Sequence, residues 1–331
     1  MTKLNISGTN KEKEIEFIEP ALDGTYAHIG SQGGTEMMMS ALRDRIDPEL
    51  LGKFNIICSR VRDESLSKDK KNILWLHDTW DDPESEHLSK ESSRKRFSKL
   101  IFVSHYQQAT FNIGRNIPYG DGFVMQNAIV PIPAHEKPKD DVLRLIYHTT
   151  PHRGLELLVP VFEAVNKQIP NLHLDVFSSF NAYGWPDRDK EYEVLFDKCR
   201  QNPNITYHGF QPNAVVREAL QKAHIYAYPN IWPETSCISV IEAMSAGCEV
   251  VCSNYGALPE TCSNFATMYG LNENNNKHAN LFANVLVGAI QNYWNESNQN
   301  KRNYQKSFFD NFYSWDLRAQ QWTLLLEELA K

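Results

Sequence analysis

The chain has 331 residues, a formal net charge of −7, 41% hydrophobic residues and 23% charged ones. That is ordinary globular material, long enough for two domains that each bury a core, and its acidic excess argues against a dedicated nucleic-acid binder. Six cysteines without a CxxC pair do not make a disulfide framework in a chain of this length. The leading stretch MTKLNISGTNKEKEIEF lacks the apolar centre of a signal peptide, and no run approaches the ~20 apolar residues of a transmembrane segment. A reducing, cytoplasmic setting is expected.

In chain order, short apolar runs alternate with longer amphipathic ones. Strands are predicted at EIEFI (14–18), FNIICS (54–59), NILWLHD (72–78) and KLIFVS (99–104), with a helix over TEMMMSALRDRI (35–46). The rhythm breaks once, at AIVPIPAHEKPKDDV (128–142), where three prolines and several charges read as a linker. Strands resume at LRLIYHT (143–149), LHLDVFS (172–178), NITYHGF (204–210), IYAYPN (225–230) and EVVCSN (249–254). Helices are predicted between them at 153–169, 191–199, 213–223 and 236–247. NENNN (272–276) reads as a loop. YSWDLRAQQWTLLLEELA (313–330) reads as a helix able to cross back onto the first domain.

Alternating strands and helices, with continuous apolar strands, mean parallel sheets covered by helices. The expectation is an α/β protein with two Rossmann-like doubly wound domains facing a cleft. The expected division is a first domain at 1–130, a linker at 131–142, a second domain at 143–308 and a terminal helix at 309–331. Open α/β sheets bind ligands at the C-terminal ends of their strands, so the cleft is the expected site.

PETSCISVIEAMSAG (233–247) leaves the strand at 225–230 and enters a helix for which Thr235 or Ser236 is a suitable N-cap. The first N–H groups of a helix have no partner within it and suit a phosphate. Glu234 would lie at the mouth of that seat, and Glu242 about two turns in. One phosphate seat flanked by two hydroxyl acceptors suits a nucleotide diphosphate sugar, with ribose on Glu242 and sugar on Glu234. The rival reading is a solvated loop glutamate and a surface ion pair, which spacing alone favours.

Context decides between them: strand, proline turn, cap, small-residue helix, then strand. PETSCISVIEAMSAGCEVVCSNYGALPE closely resembles the E-x7-E signature of glycosyltransferase family 4, retaining enzymes of the GT-B fold. GALPE resembles that family's helix-to-strand loop. The resemblance is strong over 205–260, fair over 143–156 and thin in the first domain.

The resemblance implies that Glu234 contacts the donor sugar, that the amides of Thr235, Ser236, Cys237 and Ile238 hold sugar and phosphate, and that Glu242 binds ribose. Ser236-Cys237 stands where the family has Phe-Gly. In LIYHTTPHRGLELL, Arg153-Gly154 matches a Lys-Gly phosphate position, and arginine there is a bidentate clamp. The family's other cation is missing, with Thr149 and Thr150 near its place and His152 as a possible substitute. SQGGTEMMM (31–39) resembles the glycine-rich loop before the first helix, where Gly33 and Gly34 allow close approach and Thr35 can cap; a plain turn is the rival. WLHDTW puts His77 and Asp78 at a strand end facing the cleft. His77 matches a histidine near the reacting sugar, or is a buried structural one, and Asp78 and Thr35 are the acceptor-side candidates. ITYHGFQP resembles the nucleobase loop, through backbone near Phe210. The aromatic loop FNAYGWPDRD (180–189) stacks a base or acceptor, or is a turn with exposed rings. FVSHYQQATF resembles the next strand and helix, with Ser104 at the turn.

The implied activity is retaining transfer from a UDP- or GDP-sugar to a hydroxyl acceptor, with no cofactor and no metal. A catalytically inactive nucleotide-sugar binder and a nucleic-acid-modifying glycosyltransferase are the alternatives. A dinucleotide oxidoreductase would need G-x-G-x-x-G, a spacing IGSQGGTE lacks. The basic run SKESSRKRFSKL (89–100) reads as a solvated helix face, with membrane docking and nucleic-acid contact as open readings.

Overall fold

A computed structural model describes residues 33–331; the strand expected at 14–18 and residues 31–32 of the glycine-rich loop lie outside the described residues. The described residues form two parallel sheets. The first runs β1 (Phe54–Cys58), β2 (Lys71–Leu76), β3 (Lys99–Phe102) and β4 (Gly122–Val124), paired in that order. Helices α1 (Gly34–Arg43), α2 (Pro48–Leu51), α3 (Glu91–Arg94) and α4 (His105–Gly114) accompany it. β1 is buried at every position, as expected of a strand covered on both faces.

The second sheet holds β5 (Leu143–Tyr147), β6 (Leu172–Val176), β7 (Ile205–Tyr207), β8 (Ile225–Tyr228), β9 (Glu249–Ser253) and β10 (Thr267–Tyr269). Its spatial order is β10-β9-β8-β5-β6-β7, all parallel. The chain winds one way from β5 and then the other way from β8, so the switch point lies between those two strands. Their C-terminal ends lead into residues 148–154 and 229–237. Around the sheet lie α5 (Leu155–Gln168), α6 (Glu193–Gln201), α7 (Asn213–Lys222), α8 (Ile238–Ser245), α9 (Leu258–Cys262), α10 (Asn275–Gln291) and α11 (Glu296–Phe312). Gly256-Ala257 leads from β9 into α9, so GALPE begins a helix where a helix-to-strand loop was expected.

The last helix, α12 (Trp315–Ala330), returns to the first domain. Trp315, Trp322, Leu325 and Leu326 sit in one core with Met38, Met39, Leu42 and Trp75. Trp322 meets the Trp75 ring edge-on at 4.9 Å. A short parallel bridge, Ile129 to Ser314, ties the crossing to the linker.

The basic run is not a solvated amphipathic helix. Only Glu91–Arg94 is α-helical, while Leu88, Phe97 and Leu100 are buried in the core beneath β3. Arg94 reaches Asp121 at 2.8 Å, and the ends of the run belong to a 3-10 turn and a strand. Among the described residues, no helix is long and apolar enough to cross a membrane. All six cysteines are buried, and none of them forms a disulfide.

Candidate functional site

The switch point brings together the segments after β5 and β8, and two glycines set how closely they pack. A Cβ on Gly154, at φ +134°, would stand 2.3 Å from the Pro229 carbonyl oxygen. A Cβ on Gly256 would stand 2.5 Å from the Glu234 backbone nitrogen. No side chain fits either place, so the Arg153-Gly154 pair and the glycine of GALPE are demanded by the approach of residues 229–234.

That approach places Arg153 against Glu234, with Nη1 donating to Oε1 at 2.7 Å. Glu234 does not stand at the mouth of the cleft. It is 3% exposed, and the hydroxyl of the fully buried Tyr228 donates to the same Oε1. Arg153 also donates through Nη2 to the Tyr183 hydroxyl at 3.2 Å, and its guanidinium lies 5.8 Å from the Trp232 ring. Burial opposes the Arg153 charge, but the Glu234 carboxylate outweighs it and keeps the guanidinium protonated well above its ordinary range. Both Glu234 donors fall on Oε1, and no hydrogen bond among the described residues reaches Oε2.

Helix α8 starts one or two residues later than the cap reading expects. Neither Thr235 nor Ser236 caps it: the N-cap is Cys237, at φ +75°, with no side-chain cap hydrogen bond. This left-handed conformation favours glycine, and it is strained for cysteine. The Thr235 and Ser236 side chains are absent from the cap because their loop spans the cleft. Thr235 Oγ1 donates to the His77 carbonyl at 2.9 Å, and Ser104 Oγ donates to the Thr235 carbonyl at 2.6 Å. Among the described residues, the N–H groups of Thr235, Ser236 and Cys237 meet no acceptor. They join the free N–H groups at the start of α8, which begins at Ile238.

Glu242 is 4% exposed, and its carboxylate is already held. Asn213 Nδ2 donates to both oxygens at 3.1 and 3.2 Å, and Arg217 Nη1 donates to Oε1 at 3.2 Å. Arg217 also holds the linker, donating to the Pro131 carbonyl at 3.1 Å. Burial raises the Glu242 carboxyl above its usual range, against the pull of Asn213 and Arg217. Sequence reasoning missed Asn213 and Arg217, whose pairing with Glu242 is set by the packing of α7 on α8.

Across the cleft, α1 points its start at the same place. A Cβ on Gly33 would stand 2.9 Å from the Tyr183 ring, and one on Gly34 would stand 3.0 Å from Ile238 Cδ1. Gly33 is the N-cap of α1 and Thr35 lies inside its first turn, so Thr35 does not cap. His77 follows β2. Burial lowers its imidazole to about 3, so the ring is neutral at physiological pH, and Nε2 is buried without a hydrogen-bond partner. Asp78 sits 3.7 Å from Arg60, and burial raises its carboxyl. Glu260 completes the junction: its two oxygens accept from the N–H groups of His105 (3.0 Å) and Tyr106 (2.9 Å) at the start of α4.

Further buried polar atoms without partners gather beside Arg153: Thr150 Oγ1, His152 Nδ1, Arg153 Nε and Ser178 Oγ. Buried polar groups are normally satisfied, and these four atoms find no partner among the described residues. Phe210 is half-buried just after β7, beside Gly209 at φ +63°. Among the described residues, no group of three or more His, Cys, Asp or Glu side chains could hold a metal ion.

Two parallel-sheet α/β domains, joined by a linker and closed by a returning helix over a cleft of this kind, match the GT-B fold. The chain belongs to the family described as glycosyl transferases group 1, whose model matches residues 132–305, more than half of the chain. A glycosyltransferase from Rickettsia africae is similar in structure, with a TM-score of 0.67 at 15% identity over 92% of this chain and 82% of that one. Anabaena HepE, solved in complex with UDP-glucose, gives a TM-score of 0.64 at 14% identity over 82% of this chain and 78% of that one. In sequence, one subunit of the phosphatidylinositol N-acetylglucosaminyltransferase of Arabidopsis thaliana is 24% identical over 220 residues, 62% of this chain. The chain spans about half the length of that curated relative, the match covering 47% of it.

Proposed function

We propose that the chain is a retaining glycosyltransferase that moves a sugar from a nucleotide diphosphate sugar to a hydroxyl acceptor. The observation that carries this reading is the group of unpaired amides at Thr235, Ser236 and Cys237, beside the buried Arg153–Glu234 pair at the switch point. The diphosphate is read as lying on those amides and on the start of α8, with Arg153 against it. Oε2 of Glu234 accepts from a sugar hydroxyl, and neutral His77 offers Nε2 from the first domain. Oriented N–H groups and a guanidinium stabilise the charge that develops as the diphosphate leaves, so the reading calls for no metal or cofactor. No carboxylate is assigned as a nucleophile on the sugar's reacting face; the departing phosphate takes the proton of the attacking hydroxyl.

For ribose, Glu242 is the proposed partner, sharing its carboxylate with Asn213 and Arg217. Phe210 marks the base end, and Gly33 and Gly34 the lid end. Asp78 and Thr35 are the acceptor-side proposals. Uridine donors come first, supported by HepE, whose structure carries UDP-glucose.

The test offers UDP-, GDP-, ADP- and TDP-sugars and measures nucleoside diphosphate release, with NMR to fix the anomer of any product. The expected result is release from one nucleotide class, a product that keeps the donor's anomeric configuration, and loss of turnover in Glu234→Ala. An inverted product would end the retaining mechanism. A second reading, a nucleotide-sugar binder with little or no turnover, draws on one observation: Arg153 and Glu242 both already have charged partners. It predicts nucleotide binding with no release above the protein-free rate.

A further inference from the structure

Within the donor reading above, on which this inference rests, the charges at the site do not balance. A diphosphate brings more than one negative charge, while the Arg153 charge is matched by Glu234. The loop after β6 supplies a candidate for the missing cation. Ser179 Oγ donates to Asp189 Oδ2, and the Phe180 N–H donates to Asp189 Oδ1 at 2.7 Å, so Asp189 is occupied in shaping the loop. Asp187 pairs with Lys190 at 2.8 Å. Arg188 stands between these two aspartates, and no carboxylate among the described residues forms an ion pair with it.

Two rings hold its guanidinium: Phe180 at 4.6 Å and Trp185 at 5.4 Å from their centroids. Phe180 stacks on His152 at 5.1 Å, interplanar angle 14°, next to Arg153. The same loop carries Tyr183, which accepts from Arg153. Between loop and switch point lie the partnerless buried hydroxyls of Thr150 (3% exposed) and Ser178 (2% exposed), and His152 Nδ1. An exposed arginine kept over aromatic faces loses little freedom when it turns to an anion, because its planar fork is already ordered.

We infer that Arg188 is the second cation of the donor site, closing on the diphosphate from the β6 loop opposite Arg153, with Thr150 and Ser178 donating beneath it. The measurement is calorimetric titration of the whole chain with UDP, GDP and UMP, for wild type, Arg188→Gln, Arg188→Lys and Arg153→Ala. For the diphosphate that the wild type binds, Arg188→Gln is expected to weaken affinity about tenfold, the worth of one charge-assisted hydrogen bond. Arg188→Lys should recover part of that loss, because the charge remains. UMP affinity should not change between wild type and Arg188→Gln, since the monophosphate lacks the outer phosphate. Equal diphosphate affinity in wild type and Arg188→Gln, with Arg153→Ala weakened, would overturn the role of Arg188 and leave the donor site standing. No binding of either diphosphate by the wild type would overturn both.

Discussion

At Glu234 two donors converge on one buried oxygen: Arg153, which follows β5, and Tyr228, which ends β8 in the strand that leads to Glu234. Removing the carboxylate strands a guanidinium whose side chain is only 19% exposed, and breaking a buried pair from one side costs roughly 3–5 kcal/mol. Glu234→Ala is therefore expected to lower unfolding free energy in urea by that order, whatever it does to turnover. Tyr228→Phe removes one neutral donor and should cost about 1 kcal/mol. A Glu234→Ala variant as stable as wild type would show that the pair does not form. Cys237 offers a second check. At φ +75° a β-branched residue is worse placed than cysteine, and glycine better. Cys237→Val should lose roughly 1–3 kcal/mol, and Cys237→Gly should retain nucleotide affinity. Thermal melts and titrations of the two variants decide this.

Among the elements, α4 and α9 join the domains. The free N–H groups at the start of α4 are taken by Glu260 of α9, a carboxylate on a positive helix end. Glu260→Gln keeps the shape and loses the charge. It should cost about 1 kcal/mol and let the domains separate, read as a larger radius of gyration in small-angle scattering. An unchanged radius would mean that Ser104, Thr235 and the α12 crossing hold the domains without it. Much of this architecture was legible in the sequence. β1, β2, β5, β8 and β9 are buried over most of their length, and their continuous apolar runs announce a covered parallel sheet. β4 and β10 are three residues each, too short for any period to show. The apolar stripe of α11 is diluted by asparagine, lysine and glutamine, so it passed unread. Glu234, Glu242 and Arg153 were singled out in the sequence because their spacing resembles a known signature, and the fold brings Arg153 and Glu234 into contact. Tyr228 and Arg188 were not: their contacts, with Glu234 and with Phe180 and Trp185, are local, but no spacing rule marks them. Asn213 and Arg217 were not either, because the packing of α7 on α8 brings them to Glu242 from a separate helix. The caps failed for a related reason: Thr235 is drawn away to His77 in the other domain.

Over the whole molecule, burial holds several histidines neutral: His77 and His148 are lowered to about 3, His152 and His224 to about 4. In the unfolded chain they titrate near 6.5. Between those values and 6.5 the unfolded chain binds protons that the folded chain refuses, so stability rises with pH across this window and is lost on acidification. For His77 and His148 the loss is roughly 1 kcal/mol each per pH unit below 6.5. Melting temperature should fall steadily from pH 7 to pH 5, and His148→Gln should flatten that slope. A melting temperature independent of pH in this range would contradict the burial of these rings.

The central claim is a place: a diphosphate lies on the amides of Thr235, Ser236 and Cys237 at the start of α8, between Arg153 and the first domain. A crystal structure with bound UDP, or with GDP if that binds instead, tests it directly. The account predicts phosphate oxygens within hydrogen-bond distance of those amides and of Arg153, with the ribose at Glu242. Phosphates seated elsewhere, with the three amides still without an acceptor, would contradict it.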